Sequence, residues 1–265
     1  MLGILNLFQG KIVFKRFDYQ DRCWWCGSQA DSKEHKYKRS DLIREFGKGP
    51  YAGSDELLRG FDSQTRRIQG PNSNEVKFSN CLCQDCNNRR SQPFDLSYDA
   101  FTTYMKMNEQ KIWASKQFNL STIYGANWVV KRDNLVRYYI KHISCRLASE
   151  RVLIVPEVID YLNGISTLKY ISMNLEIRED IVAMIQHSAQ TGIGDGGLWL
   201  GDMPCMMSQS TGEVNEVTSF IGYRWIRLNY TYDDRLLLRE NSFSTDQIVL
   251  QSGYNIEPST ILRMP

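Results

Sequence analysis

The chain has 265 residues, 42% hydrophobic and 23% charged, with a formal net charge of +2. That length can bury one large core or two smaller ones. No stretch approaches the ~18 apolar residues of a membrane span, and no low-complexity tract points to disorder. Charge is uneven: residues 1–95 hold 16 Lys+Arg against 12 Asp+Glu, a net of +4, and the remainder nets −2. A mildly basic N-terminal end suits a polyanionic partner, although an ordinary solvated surface also explains so small a bias.

In chain order, "MLGILNLFQG" lacks a leading basic segment and a small-residue cleavage site. It reads as part of a folded element, which makes the cytoplasm the default compartment and reduced or metal-bound cysteines the default chemistry. "KIVFKRF" has strand composition. "SDLIREFG" predicts a short helix, with Ser40 or Asp41 as cap and Gly47 as stop. Residues 47–75 are rich in Gly, Ser, Asp and Asn and read as a long loop with a short helix near "DELLRGF". "EVKFSNC" reads as a strand. From "LSYDAFTTYMKMNEQKIWASKQF", Tyr98, Phe101, Tyr104, Met105 and Ile112 recur at helical spacing. A second helix is expected across "NWVVKRDNLVRYYIKHISCRLAS", with Val129, Leu135, Tyr139, Ile143 and Leu147 near one face. Pro156 opens a short helix that Gly164 ends. The last hundred residues turn to β-branched and aromatic runs broken by Gly and Asp, a β-rich layer. "TGIGDGG" reads as a loop, because it lacks the strand and helix of a dinucleotide site. The expected class is α+β, with a boundary near residue 98 between an N-terminal module (1–98) and a helical, then β-rich, remainder (99–265).

The chemistry concentrates in the cysteines. Cys23 and Cys26 are spaced CxxC, and so are Cys83 and Cys86. Two such turns from distant segments can present four thiolates tetrahedrally to zinc, a closed site that supplies folding energy rather than catalysis. Free or redox thiols are the alternative. Cys81 could replace Cys83 as a ligand, with Cys83 favoured. Cys145 and Cys205 read as core cysteines. Trp24 and Trp25 suit either packing beneath the metal turn or stacking on bases.

The order "CWWC … EH … CQDCNNRR" resembles the His-Asn-His (HNH) endonucleases whose ββα-metal finger is braced by a zinc knuckle pair. The resemblance covers roughly residues 20–95. It implies that His35 is the general base that activates water, and that Glu34 and Asn87 hold a catalytic magnesium or manganese ion. Arg90 matches a basic residue of the family's helix. Arg89, Arg90 and Lys36 are candidates for backbone phosphates, and Lys33, Lys38 and Arg39 for the adjacent stretch. The physics agrees with these roles: imidazole titrates near neutrality, and magnesium prefers hard oxygen ligands. Position 78 is Phe where the family carries an Asn that orients the base histidine, so that role is unassigned. The blander readings are a surface histidine at 35, a helix-capping Asn87 and helix-surface arginines.

The implied activity is metal-dependent hydrolysis of phosphodiester bonds in DNA, with structural zinc. The alternatives are a zinc-ribbon nucleic-acid-binding protein without catalysis and a purely structural zinc domain. The C-terminal region is expected to bind a partner, a second copy or substrate.

Overall fold

The computed structural model describes residues 16–53, 56–61, 64–191, 197–207, 210–211, 213–233, 241–253 and 260–263. Most of "KIVFKRF" and of "TGIGDGG" lies outside these residues. The fold is mixed α and β.

The N-terminal module opens with the cysteine knuckle at 23–26 and then α1 (Arg39–Phe46). The α1 N-cap is Lys38, without a side-chain cap. Asp41, expected as a cap, is instead buried inside the helix, bonded to Arg44 (2.8 Å) and to the Tyr98 hydroxyl (2.8 Å). Gly47 ends the helix at φ 81°, the left-handed region in which a Cβ is disfavoured.

The expected loop at 47–75 contains a hairpin, β1 (Leu57–Phe61) and β2 (Gln64–Ile68). Within "DELLRGF", Leu57–Phe61 is strand rather than helix, and Leu57 and Ile68, paired across the hairpin, are both fully buried. "EVKFSNC" forms a short helical turn at Asn74–Val76, followed by isolated bridges rather than a regular strand.

The second knuckle leads into a wide helical turn, Asp85–Arg90, and then α2 (Gln92–Met107), with Pro93 in its first turn. Asn108 separates α2 from α3 (Glu109–Ser115). β3 (Gln117–Asn119) and α4 (Leu120–Tyr124) follow. α5 (Trp128–Ser149) is the central helix: every residue from Tyr138 to Ala148 is buried. A helix buried all round belongs inside a core rather than on one face of it. Val129, expected on the buried side, is exposed at the start of α5. α6 (Pro156–Leu162) ends, as expected, near Gly164.

The C-terminal part is built from β4 (Ile171–Arg178), α7 (Glu179–Thr191), β5 (Leu198–Leu200), β6 (Cys205–Met207), β7 (Val214–Tyr223), β8 (Ile226–Asp233), β9 (Gln247–Val249), β10 (Gln251–Gly253) and β11 (Thr260–Arg263). The main sheet runs β10–β4–β8–β7–β5–β11–β1–β2, with β6 on β7 and with β10–β4 the parallel pair. β1 pairs with β11, so the hairpin of the N-terminal module extends the C-terminal sheet. The boundary expected at residue 98 falls inside α2.

One junction ties the halves together. The tight turn joining β7 to β8 places Arg224 at φ 51°, unfavourable for a residue with a side chain. Its buried guanidinium is clasped by Glu45 of α1 (2.7 Å) and by Glu109 of α3. This charge-assisted network fixes α1, and the segment before it, against the sheet.

Candidate metal centre and the histidine beside it

The Sγ atoms of Cys23, Cys26, Cys83 and Cys86 lie within 4.8 Å of one another, with Cys26 and Cys83 3.6 Å apart. Four sulfurs bound tetrahedrally to zinc at about 2.3 Å are about 3.8 Å apart, so the cluster fits a metal ion such as zinc. The favoured ligand, Cys83, is the one in place. Cys81 is buried outside the cluster. Cys205, expected in the core, is exposed on β6. Within the cluster, a hydrogen bond between Cys86 and Cys23 pulls the Cys23 thiol down to about 5 and pushes Cys86 up. A thiolate is the form that binds metal.

Packing around the knuckle is tight. Trp24 and Trp25 are buried, and Trp25 stacks on Phe94 of α2. This excludes them as base-stacking platforms. Arg90 lies over Trp25 with its guanidinium 4.5 Å from the ring centre and donates to Cys86 Sγ (3.2 Å). Its other amine and the Trp25 indole both donate to Asn163 Oδ1, at 2.6 and 2.8 Å. Arg90 therefore supports the metal turn and couples it to the end of α6, as groups surrounding a metal's direct ligands commonly do. Arg89 is exposed and paired with Asp85 (2.6 Å).

The segment carrying Glu34 and His35 runs antiparallel to residues 76–82. Ser32 bridges Leu82 and His35 bridges Lys77. Backbone bonds Lys36 N–H to Val76 O (2.7 Å) and Phe78 N–H to Glu34 O (2.9 Å) complete the pairing. Consecutive extended residues face opposite ways, and these two do. Glu34 turns inward, where its Oε2 accepts from Lys141 of α5 at 3.0 Å. Lys141 is 1% exposed and also approaches Asp95 (3.7 Å) and Ser91 Oγ (3.3 Å). Burial pushes the Glu34 carboxyl up, against the pull of Lys141. Burial also opposes the charge of Lys141, but Glu34 and Asp95 outweigh it and hold the amine protonated.

His35 turns outward and is half-buried. Its Nε2 lies 3.1 Å from the Pro71 carbonyl. A carbonyl only accepts, so Nε2 carries the proton and Nδ1 keeps the lone pair. Burial, then the charges of Lys77, Arg39 and Lys38, pull the imidazole down to about 4. The ring is neutral at pH 7. Pro71 thus fixes the tautomer of the ring.

Asn87 closes the arrangement. Its Nδ2 donates to Ser32 Oγ (2.8 Å) and to the Lys33 carbonyl (3.4 Å), clamping the helical turn onto the segment that bears Glu34 and His35. Its Oδ1 is buried without a donor, a costly state for an amide oxygen. Lys36 is half-buried, its amine pulled down to about 8 chiefly by burial. His142 is buried in α5, and its Nε2 lies 2.9 Å from the Lys36 carbonyl, holding the backbone beside His35.

The structure thus brings Asn87 onto the Glu34–His35 segment and splits Glu34 from His35 across it. Sequence reasoning missed Lys141, Pro71 and His142. Lys141 left one weak signal: a cation among Tyr138, Tyr139, Ile140 and Ile143. Among the described residues, no helix is long and apolar enough to cross a membrane. No protein-family model matches the chain, and neither a curated protein nor a solved structure matches it.

Proposed function

We propose that the protein is a metal-dependent endonuclease of the HNH type that hydrolyses phosphodiester bonds in DNA, with zinc in the four-cysteine site. The observation that carries this reading is the neutral, half-buried His35, its tautomer set by Pro71, on a segment clamped by Asn87 and braced by the knuckles. A base must be unprotonated and held in place before substrate arrives. His35 Nδ1 takes a proton from the attacking water. Asn87 Oδ1, lacking any donor, and Glu34 are the oxygens for a divalent magnesium or manganese ion. Such an ion offsets negative charge on the phosphoryl group. For that role Asn87 Oδ1, buried here, must be uncovered, and Glu34 must exchange Lys141 for the ion and turn toward the face of His35.

That last demand favours a second reading, a zinc module that binds nucleic acid without cutting it. There the Glu34–Lys141 pair is a permanent strut. Incubating supercoiled plasmid with protein and magnesium or manganese separates the two. Nicking is expected from the wild type and not from His35→Ala, with plasmid binding retained. No nicking by the wild type with either ion, or equal nicking by His35→Ala, overturns the nuclease reading.

A further inference from the structure

We propose that His142 is a positioning residue for the His35 base: from the central helix α5 it holds the backbone on which the His35 imidazole stands. The inference rests on the nuclease reading for its effect on cleavage. The positioning itself can be read without turnover.

His142 sits on a rigid mount. It is 2% exposed and lies within Tyr138–Ala148, the stretch of α5 that is buried throughout. Side chains in a close-packed interior are held in place by their neighbours. Burial, against the bond to Lys36, pulls the His142 imidazole down to about 4. The ring is therefore neutral at pH 7, with a single N–H. Nε2 lies 2.9 Å from the Lys36 carbonyl, and a carbonyl only accepts, so that N–H is donated to Lys36.

The bond matters because of where Lys36 stands. Its own N–H donates to the Val76 carbonyl (2.7 Å), so both of its backbone polar groups are held. On the other side of His35, the Glu34 carbonyl accepts from the Phe78 N–H (2.9 Å), and the Glu34 carboxylate accepts from Lys141 (3.0 Å). Lys141 and His142 are consecutive residues of α5, and consecutive side chains leave a helix about 100° apart. One takes the residue before His35 and the other takes the residue after it. The Phe78 ring joins the two sides, meeting the His142 ring edge-on with centroids 5.3 Å apart. With both neighbours fixed to α5, the His35 ring turns to the opposite face, where Pro71 receives Nε2 at 3.1 Å.

Packing alone gives no reason for an imidazole at this position. His142 Nδ1 is buried without a donor, a state that works against folding. Leucine would remove that cost, and with it the Nε2 donor to Lys36. The segment that His142 holds accounts for the residue. Misplacing a base costs rate more than affinity, because binding of the remainder of the substrate is untouched.

The test compares the zinc-loaded full chain with His142→Gln, whose amide can still reach the Lys36 carbonyl, and with His142→Leu and the shorter His142→Asn, which cannot supply that bond. Long-range proton–nitrogen NMR reads the His35 ring, with His35→Ala to assign it. The wild type and His142→Gln are expected to show the Nε2–H tautomer alone, and His142→Leu and His142→Asn a mixture of both tautomers. In plasmid nicking, kcat should fall about ten- to a hundredfold in His142→Leu with KM unchanged, and His142→Gln should recover most of it. His142→Asn decides the matter if His142→Leu does not fold. A single His35 tautomer and wild-type kcat in the variants lacking the bond overturns the proposal. So does a loss in His142→Gln as large as in His142→Leu, or the unfolding of all three variants, which would make His142 a packing residue and nothing more. A wild type that does not nick sinks the nuclease reading, and the tautomer spectra then decide the positioning by themselves.

Discussion

The knuckle corner and the C-terminal sheet hold their shape by different means. β7 and β8 pair over eight consecutive positions, from Glu216–Asp233 to Tyr223–Ile226, above a buried face that includes Val217, Leu228, Tyr230 and Tyr232. The segment bearing His35 has isolated bridges only, at Ser32–Leu82 and His35–Lys77. Its order comes from four converging sulfurs, from Asn87 reaching back to Ser32, and from Lys141 rising beneath Glu34. The knuckle corner adds, to its buried Trp24, Trp25 and Leu82, a cysteine cluster that fits a metal ion and a few polar clasps. The candidate residues His35 and Asn87 lie on the part with the sparser backbone pairing.

Stripping the metal should therefore break the comparison most severely. Structural zinc contributes about 10–16 kcal/mol of apparent binding energy in small zinc units at pH 7. Chelation is expected to release the backbone amides of residues 23–37 and 76–90 to fast hydrogen exchange. The β7–β8 amides should stay protected. Equal protection in both regions after chelation contradicts the division.

Next in size is the strut. Lys141→Met leaves Glu34 buried without its cation, and removing one partner of a buried pair costs about 3–5 kcal/mol. The penalty is pH-dependent. The folded Glu34 carboxyl lies above its usual range, so protonation relieves the penalty at low pH, and the penalty grows as pH rises past the unfolded value. The melting-temperature deficit should be smaller at pH 5 than at pH 8. Glu34→Gln with Lys141→Met should recover most of it. A deficit independent of pH would mean that Lys141 matters for packing rather than charge.

How much of this was legible depended on how far apart the partners lie in the chain. The CxxC pairs and the periodicity of Tyr98, Phe101 and Met105 are local, and the structure agrees with both. The hairpin at 57–68 was not legible. Its strand β1 pairs with β11, and the register partner of Leu57 there is Arg263, some 200 residues away. Glu34 and Lys141 are 107 positions apart, and neither residue announces the other. Asp41 reads as a helix cap because Asp favours that position; Arg44, Tyr98 and Thr102 give it better partners inside. Orientation was the hardest property to read. The sequence "EH" sets two candidate groups side by side, and the extended backbone turns them to opposite faces.

A smaller effect sharpens the account at His35 itself. The chain has three histidines, so each imidazole can be followed by NMR. His35 and buried His142 both lie at about 4, below the usual 6.5, chiefly through burial. Between about 6.5 and 4 the unfolded chain binds these protons and the folded chain does not. The stability tied to both rings is fully present above pH 6.5 and is lost as pH falls through about 4. The His35 signal should not move between pH 7.5 and 5. Titration near 6.5 would mean a solvated ring without the Pro71 bond.

That a metal holds the corner carrying His35 and Asn87 is tested most directly by native mass spectrometry of protein purified under reducing conditions. One zinc ion per chain is expected for the wild type and for Cys81→Ser, and none for Cys83→Ser. A wild type free of zinc, or a Cys83→Ser variant that keeps the ion while Cys81→Ser loses it, would contradict the account.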